Sequence, residues 1–189
     1  MSLRFDETKT TQLVARLLAK SGGKLNVLKL VKLVYLSDRR ALVSGGRPIT
    51  KDRFVSMPHG PVNSATLNLI NDEPDPRKPS YWRRYISERQ SYEVSLREDP
   101  GTSALSAFEL AIIDEVHREF GHLDRFVLRD MTHDLPEWCD PEGSSLPIHI
   151  HEILESEGFS EADARELEHS LEHESYVLAE LGEDTESTV

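Results

Sequence analysis

The sequence contains a single cysteine, Cys139, so no disulfide can form within the chain. It has no run of about 18 apolar residues, which excludes a membrane-spanning helix. Residues 1–20 include Asp6 and Glu7 and no continuous apolar stretch, so they do not read as a secretory leader. There is no GxGxxG turn, no P-loop, no HExxH and no nucleophile elbow. These absences remove the usual signs of dinucleotide binding, nucleotide hydrolysis, zinc proteolysis and acyl transfer. They lead us to expect a cytoplasmic protein that needs no membrane and no cofactor.

What is present suffices for one folded body. The 189 residues are 38% hydrophobic and 30% charged, enough to bury a core without staples. The net charge of -12 is unevenly placed. Residues 1–151 hold 21 basic and 21 acidic side chains, whereas residues 152–189 hold 13 acidic side chains and one base, Arg165. An acidic block of this kind repels nucleic acid and attracts basic protein surface; it can also be a solvated helix that keeps the protein soluble. Residues 1–150 are therefore read as the main domain and 151–189 as an acidic helical extension, with disorder over 183–189.

Periodicity predicts a mainly α fold of the α+β kind. A first helix over 8–20 carries Leu13, Val14, Leu17 and Leu18 on one stripe and ends at Gly22-Gly23. Asn26 caps a second, over 27–43, that is apolar nearly all round; it reads as a buried central helix. Residues 47–56 read as extended, 63–70 as a short helix and 71–79 as a proline-containing loop. Residues 81–87 and 92–96 are the strand candidates, Tyr92, Val94 and Leu96 alternating with Glu93 and Ser95, and they predict a small antiparallel hairpin. Ser106 and Glu109 form a capping box before a helix with Phe108, Ile112, Val116 and Phe120. Asp124 caps a helix to about Thr132, residues 141–147 read as loop, and 148–157 as a short helix. Ser160 caps the last one.

Four constellations have chemical potential. Lys32, Tyr35, Asp38 and Arg39 share a face of the central helix, where polar groups must find partners or reach solvent. His59, Gly60 and Pro61 lie in a rigid turn, where a histidine can titrate, ligate or simply hydrogen-bond. Thr132, His133, Asp134 and Glu137 offer hydrolase parts, but sequence neighbours seldom face each other; a helix end sealed by Pro136 and anchored by Trp138 is the plainer reading. His149 and His151, with His169 and His173 at i, i+4, have partial zinc spacing without the rest of a zinc motif, and no metal site is assigned to them.

Three of these stretches, in order, resemble the Panacea (SocA-like) antitoxin domain. Leu28-Lys29-Leu30-Val31-Lys32-Leu33-Val34-Tyr35-Leu36-Ser37-Asp38 resembles its LKL-KL-YL helix. Arg47-Pro48-Ile49-Thr50 through His59-Gly60-Pro61-Val62 resembles its strand and GPV turn. Phe120-Gly121 through Thr132-His133 to Pro136 and Trp138 resembles its FG…TH…PW ending. One departure is Glu137, which separates Pro136 from Trp138 where the family often has them adjacent.

The resemblance covers about residues 10–140 and implies a helical fold with a small antiparallel sheet. It implies a bacterial antitoxin, often encoded beside a toxin gene or in prophage, whose partner is a cognate protein toxin. In the SocA-like branch it also implies delivery of a toxin to a Clp-type protease. It carries no catalytic residue. On this reading the partner-binding residues are Lys32, Tyr35, Asp38, Arg39, Arg53, His59, Gly60, Pro61, Thr132, His133 and Trp138. A metal-assisted hydrolase built on His59 and His133 is the rival from another class. Homo-oligomerisation stays open, and nucleic acid is ranked last as a partner.

Overall fold

The structure is a computed structural model and describes residues 3–71 and 80–186. Most of the loop expected at 71–79, and residues 187–189 of the acidic end, lie outside them. Helix α1 (Glu7–Lys20) starts where Asp6 accepts the Lys9 N–H at 2.9 Å. Strand β1 (Lys24–Asn26) follows, and Asn26 Oδ1 accepts the Leu28 N–H to open α2 (Val27–Gly45). Strands β2 (Phe54–Met57) and β3 (Gly60–Asn63) form a hairpin that leads into α3 (Ser64–Ile70). Then come α4 (Tyr81–Tyr85), β4 (Glu93–Ser95), α5 (Ala107–Phe120) and α6 (Arg125–His133). The chain closes with β5 (Leu146–Ile148), α7 (Ile150–Ser156) and α8 (Glu161–Glu186).

The fold is mainly helical with two small antiparallel sheets, as the periodicity predicts. The capping box at Ser106 and Glu109 forms, Asp124 accepts the Phe126 N–H, and Ser160 accepts the Asp163 N–H. Helix α2 is the axis of the core: Leu30, Leu33, Val34, Tyr35 and Leu42 are wholly buried. Its Leu30, Leu33 and Val34 join α1, α4 and α5 in one apolar cluster. Its Tyr35 and Leu42 join Phe54, Ile148, Ile153, Leu154, Ala164 and Leu171 in a second. Each such side chain contributes about 1.5–3 kcal/mol by leaving water, and α2 is the element that joins the two clusters.

Three expectations are corrected. Residues 81–85 are helical, because Ser80 caps them and Glu7 accepts the Trp82 N–H at 2.9 Å, turning Trp82 and Tyr85 inward at helical spacing. The strand at 93–95 pairs with β1, Leu25 opposite Val94, and the expected hairpin is reduced to isolated bridges, Ile86–Leu96 and Gln90–Glu93. Residues 146–148, read as loop and helix start, instead pair with β2, so the second sheet has the order β3-β2-β5. Among the described residues, no helix is long and apolar enough to cross a membrane.

Candidate functional site

The turn between β2 and β3 is the point on which the three sequence motifs converge. Pro58 and His59 form its tip, and Gly60 follows with φ +89°, a left-handed conformation that suits glycine. A Cβ on Gly60 would lie 2.7 Å from Thr132 Oγ1, 2.9 Å from Lys32 Nζ and 3.1 Å from His133 Cδ2. Glycine is therefore required twice, for its backbone and for its missing side chain. Lys32 Nζ donates to the Pro61 carbonyl at 2.7 Å. Trp138 donates its indole N–H to the Met57 carbonyl at 3.1 Å.

Behind the turn, Tyr35, Asp38 and Arg39 of α2 find their partners within the protein. Tyr35 donates to Glu137 Oε1 at 2.8 Å and meets the Phe54 ring edge-on. Arg39 pairs with the same carboxylate at 2.7 Å and with Glu157 at 2.6 Å. Glu137 thus ties the segment after α6 to α2. Asp38 accepts the Thr50 N–H at 3.0 Å, the Thr50 hydroxyl, and Asn63 Nδ2 at 2.6 Å. Asp52 accepts the Ala65 and Thr66 N–H groups and so caps α3, a task the N-cap residue Asn63 does not perform.

Burial sets the electrostatics. It lowers Lys32 to about 7 and raises Asp38 to about 7, the latter against the pull of the Thr50 donors. Burial also raises Asp52. His133 is lowered by burial and then by Lys32 and Arg129; its Nε2 is buried with no hydrogen-bond partner.

The outer face of the same turn forms one wall of an open cleft of about 990 Å³. The start of α2 supplies Val27, Leu28, Val31 and Lys32 as its floor, and the turn supplies Met57, Pro58, His59 and Gly60. Arg89 and Tyr92 from the turn before β4, and Arg125 and Phe126 from the start of α6, also line it. Tyr92 is 69% exposed, yet its carbonyl accepts the Val27 N–H at 2.7 Å, so its backbone is fixed to α2 while its ring faces solvent. Arg89 lies over the Tyr92 ring, and Arg125 and Arg129 flank Phe126. An apolar floor with aromatic rings and guanidinium groups at the rim has the composition that anchors protein–protein contacts.

The expected contact residues therefore fall into two sets. His59 and Arg53 are exposed, and Trp138 and His133 are half-buried. Lys32, Tyr35 and Asp38 are wholly buried, so α2 carries no exposed polar patch; these side chains hold the turn from within. Gly60, Pro61 and Thr132 are likewise buried, and Arg39 is committed to two carboxylates. Sequence reasoning missed Tyr92, Arg89, Phe126 and Arg125. Their signal was faint: Tyr92 fits a strand alternation, and Phe126 lies on a short helix with Val127 and Met131 also exposed.

Nor do the hydrolase parts assemble. The Thr132 hydroxyl donates to the Arg129 carbonyl at 2.7 Å, and His133 stacks on Trp138. Among the described residues, the one grouping of three metal-capable donors excludes His59 and His133 and consists of His149, His151 and Glu168.

Comparison with known proteins gives one match. The family model described as antitoxin SocA-like, Panacea domain, fits residues 30–139, more than half of the chain. No curated protein and no solved structure matches.

Proposed function

The chain belongs to the SocA-like antitoxin family that carries the Panacea domain, and on that premise we propose that it neutralises a protein toxin by direct contact through the cleft beside the Pro58-His59 turn. The observation that carries this reading is the cleft itself. Its wall is built from the family's motif turn, and its rim presents Tyr92 and Phe126 with Arg89 and Arg125. A segment of toxin chain with an apolar side chain would enter between the two rings. The arginines would take a carboxylate or carbonyl at the edge.

The acidic helix α8 has a separate task in this reading. Its carboxylates speed encounter with a basic toxin surface, an effect that weakens as salt screens it. Delivery of the bound toxin to a Clp-type protease is the finer alternative, with the far end of α8 as the protease contact. The test is growth of cells expressing the product of the neighbouring gene, with and without this protein. Rescue supports neutralisation. Rescue with unchanged toxin level assigns blocking, and rescue with toxin loss assigns delivery. Failure to rescue against every neighbouring product would overturn the reading.

A further inference from the structure

His149 and His151 flank the junction of β5 and α7, with Ile150 between them turned into the core. The chain passes there from extended to helical, and this brings the two imidazoles to the same side. Their rings stack with centres 5.3 Å apart and planes 22° apart. Glu168 enters from α8. Its Oε2 lies 2.5 Å from His151 Nδ1, and its Oε1 lies 3.9 Å from His149 Nδ1 and accepts the Ile150 N–H at 2.9 Å. One donor atom from each of the three residues falls within 4.8 Å of the others.

A tetrahedral ion with bonds of about 2.0–2.2 Å holds its donors roughly 3.3 Å apart. One donor atom from each residue lies within 4.8 Å of the other two, wider than that spacing, so loading draws the three side chains together around the ion. Two imidazoles and one carboxylate suit zinc and its first-row neighbours, whereas calcium and magnesium prefer all-oxygen sets. The scaffold is firm. The side chains of His151 and Glu168 are only 15% and 18% exposed, and α7 and α8, which carry them, share one apolar cluster through Ile153, Leu154, Ala164 and Leu171. The His149 side chain is 55% exposed, which gives an ion its route in and leaves a fourth position for water.

We propose that His149, His151 and Glu168 bind a divalent first-row transition ion, zinc in type, that clamps α8 to the start of α7. On loading, His151 carries its proton on Nε2, and the Nδ1 lone pair turns from Glu168 to the ion. The three residues lie outside residues 30–139, so the site is not part of the stretch that the family model matches. The exposed His169 and His173, at the more familiar i, i+4 spacing, take no part in it.

The experiment is titration of the untagged full chain with Zn²⁺ by calorimetry and with Co²⁺ by visible absorption, with melting temperature as a second readout. The expected result is one ion per chain, tetrahedral Co²⁺ bands, and a melting temperature that zinc raises and a chelator returns. His149→Ala and Glu168→Gln should each weaken binding by about tenfold or more, while His169→Ala with His173→Ala leaves it unchanged. His149 is exposed, so its replacement spares the fold. No binding of either ion would overturn the proposal, and so would loss of binding only in the His169/His173 variant.

Discussion

The imidazole of His133 and the indole of Trp138 lie face to face, their centres 4.2 Å apart and their planes at 15°. The stack closes the segment that follows α6 against the β2–β3 turn, because the same indole donates to Met57. One wall of the cleft therefore depends on a contact between two residues that the sequence offers as partner-binding candidates.

Replacing Trp138 should separate these contributions. Trp138→Phe keeps a ring over His133 and loses the N–H to Met57, a cost of about 1 kcal/mol. Trp138→Ala loses both and should cost about 2–3 kcal/mol, below the range for a fully buried tryptophan because this one is half-exposed. Urea unfolding of the two variants measures the difference; equal losses would show that the stack contributes nothing.

The Glu137 carboxylate is wholly buried and the Arg39 side chain is 12% exposed, so they behave as an interior ion pair. Arg39→Ala leaves the carboxylate with only the Tyr35 hydroxyl and should cost about 3–5 kcal/mol. Arg39→Met combined with Glu137→Leu should recover part of that loss, since an apolar pair removes the stranded charge but leaves the buried Tyr35 hydroxyl without its acceptor. Denaturant curves for the two single variants and the double variant decide it. Additive losses would mean that the pair is not coupled.

Asp38 and Lys32 should give opposite slopes of stability against pH. The folded protein holds Asp38 up at about 7 from an ordinary 3.8, so between those values it binds more protons than the unfolded chain and loses stability as pH rises. Lys32 sits at about 7 instead of 10.5, so the unfolded chain binds more protons above 7 and stability climbs toward 10.5. Together they produce a minimum near neutrality. The difference between the unaltered protein and Asp38→Asn should shrink from about pH 5 to 7. The difference from Lys32→Met should move in the protein's favour from about pH 7 to 9. Flat differences in urea unfolding would refute both.

How much of this was legible follows from which contacts are local. The caps at Asn26, Ser106 and Asp124 read correctly because each is satisfied within three residues of itself. The pairing of Leu25 with Val94, or of Val55 with Pro147, depends on partners about 70 to 90 residues away and leaves no local mark. Residues 81–85 carry three aromatic residues that suit a strand, and Glu7, far off in sequence, helps to fix them as a helix. The motif positions were found, but their exposure was not. Periodicity places Lys32 and Asp38 on a face of α2 without showing that the turn and Thr50 already cover it.

Tyr92 and Phe126 are exposed at 69% and 46%, so truncating either to alanine should change stability by no more than about 0.5 kcal/mol. Each should weaken toxin binding by about thirtyfold if it anchors the partner, equivalent to roughly 2 kcal/mol. Calorimetry against the neighbouring gene product, beside a thermal melt, reads the two effects separately. Unchanged affinity in both variants would move the contact surface elsewhere.

Because Tyr35, Leu42 and Phe54 share their cluster with Ile153, Leu154, Ala164 and Leu171, the acidic arm is rooted in the centre of the molecule. A chain cut after residue 149 would carry a raw apolar scar along the back of its longest buried helix, and concealing that scar would fall to chaperones or to other copies of itself.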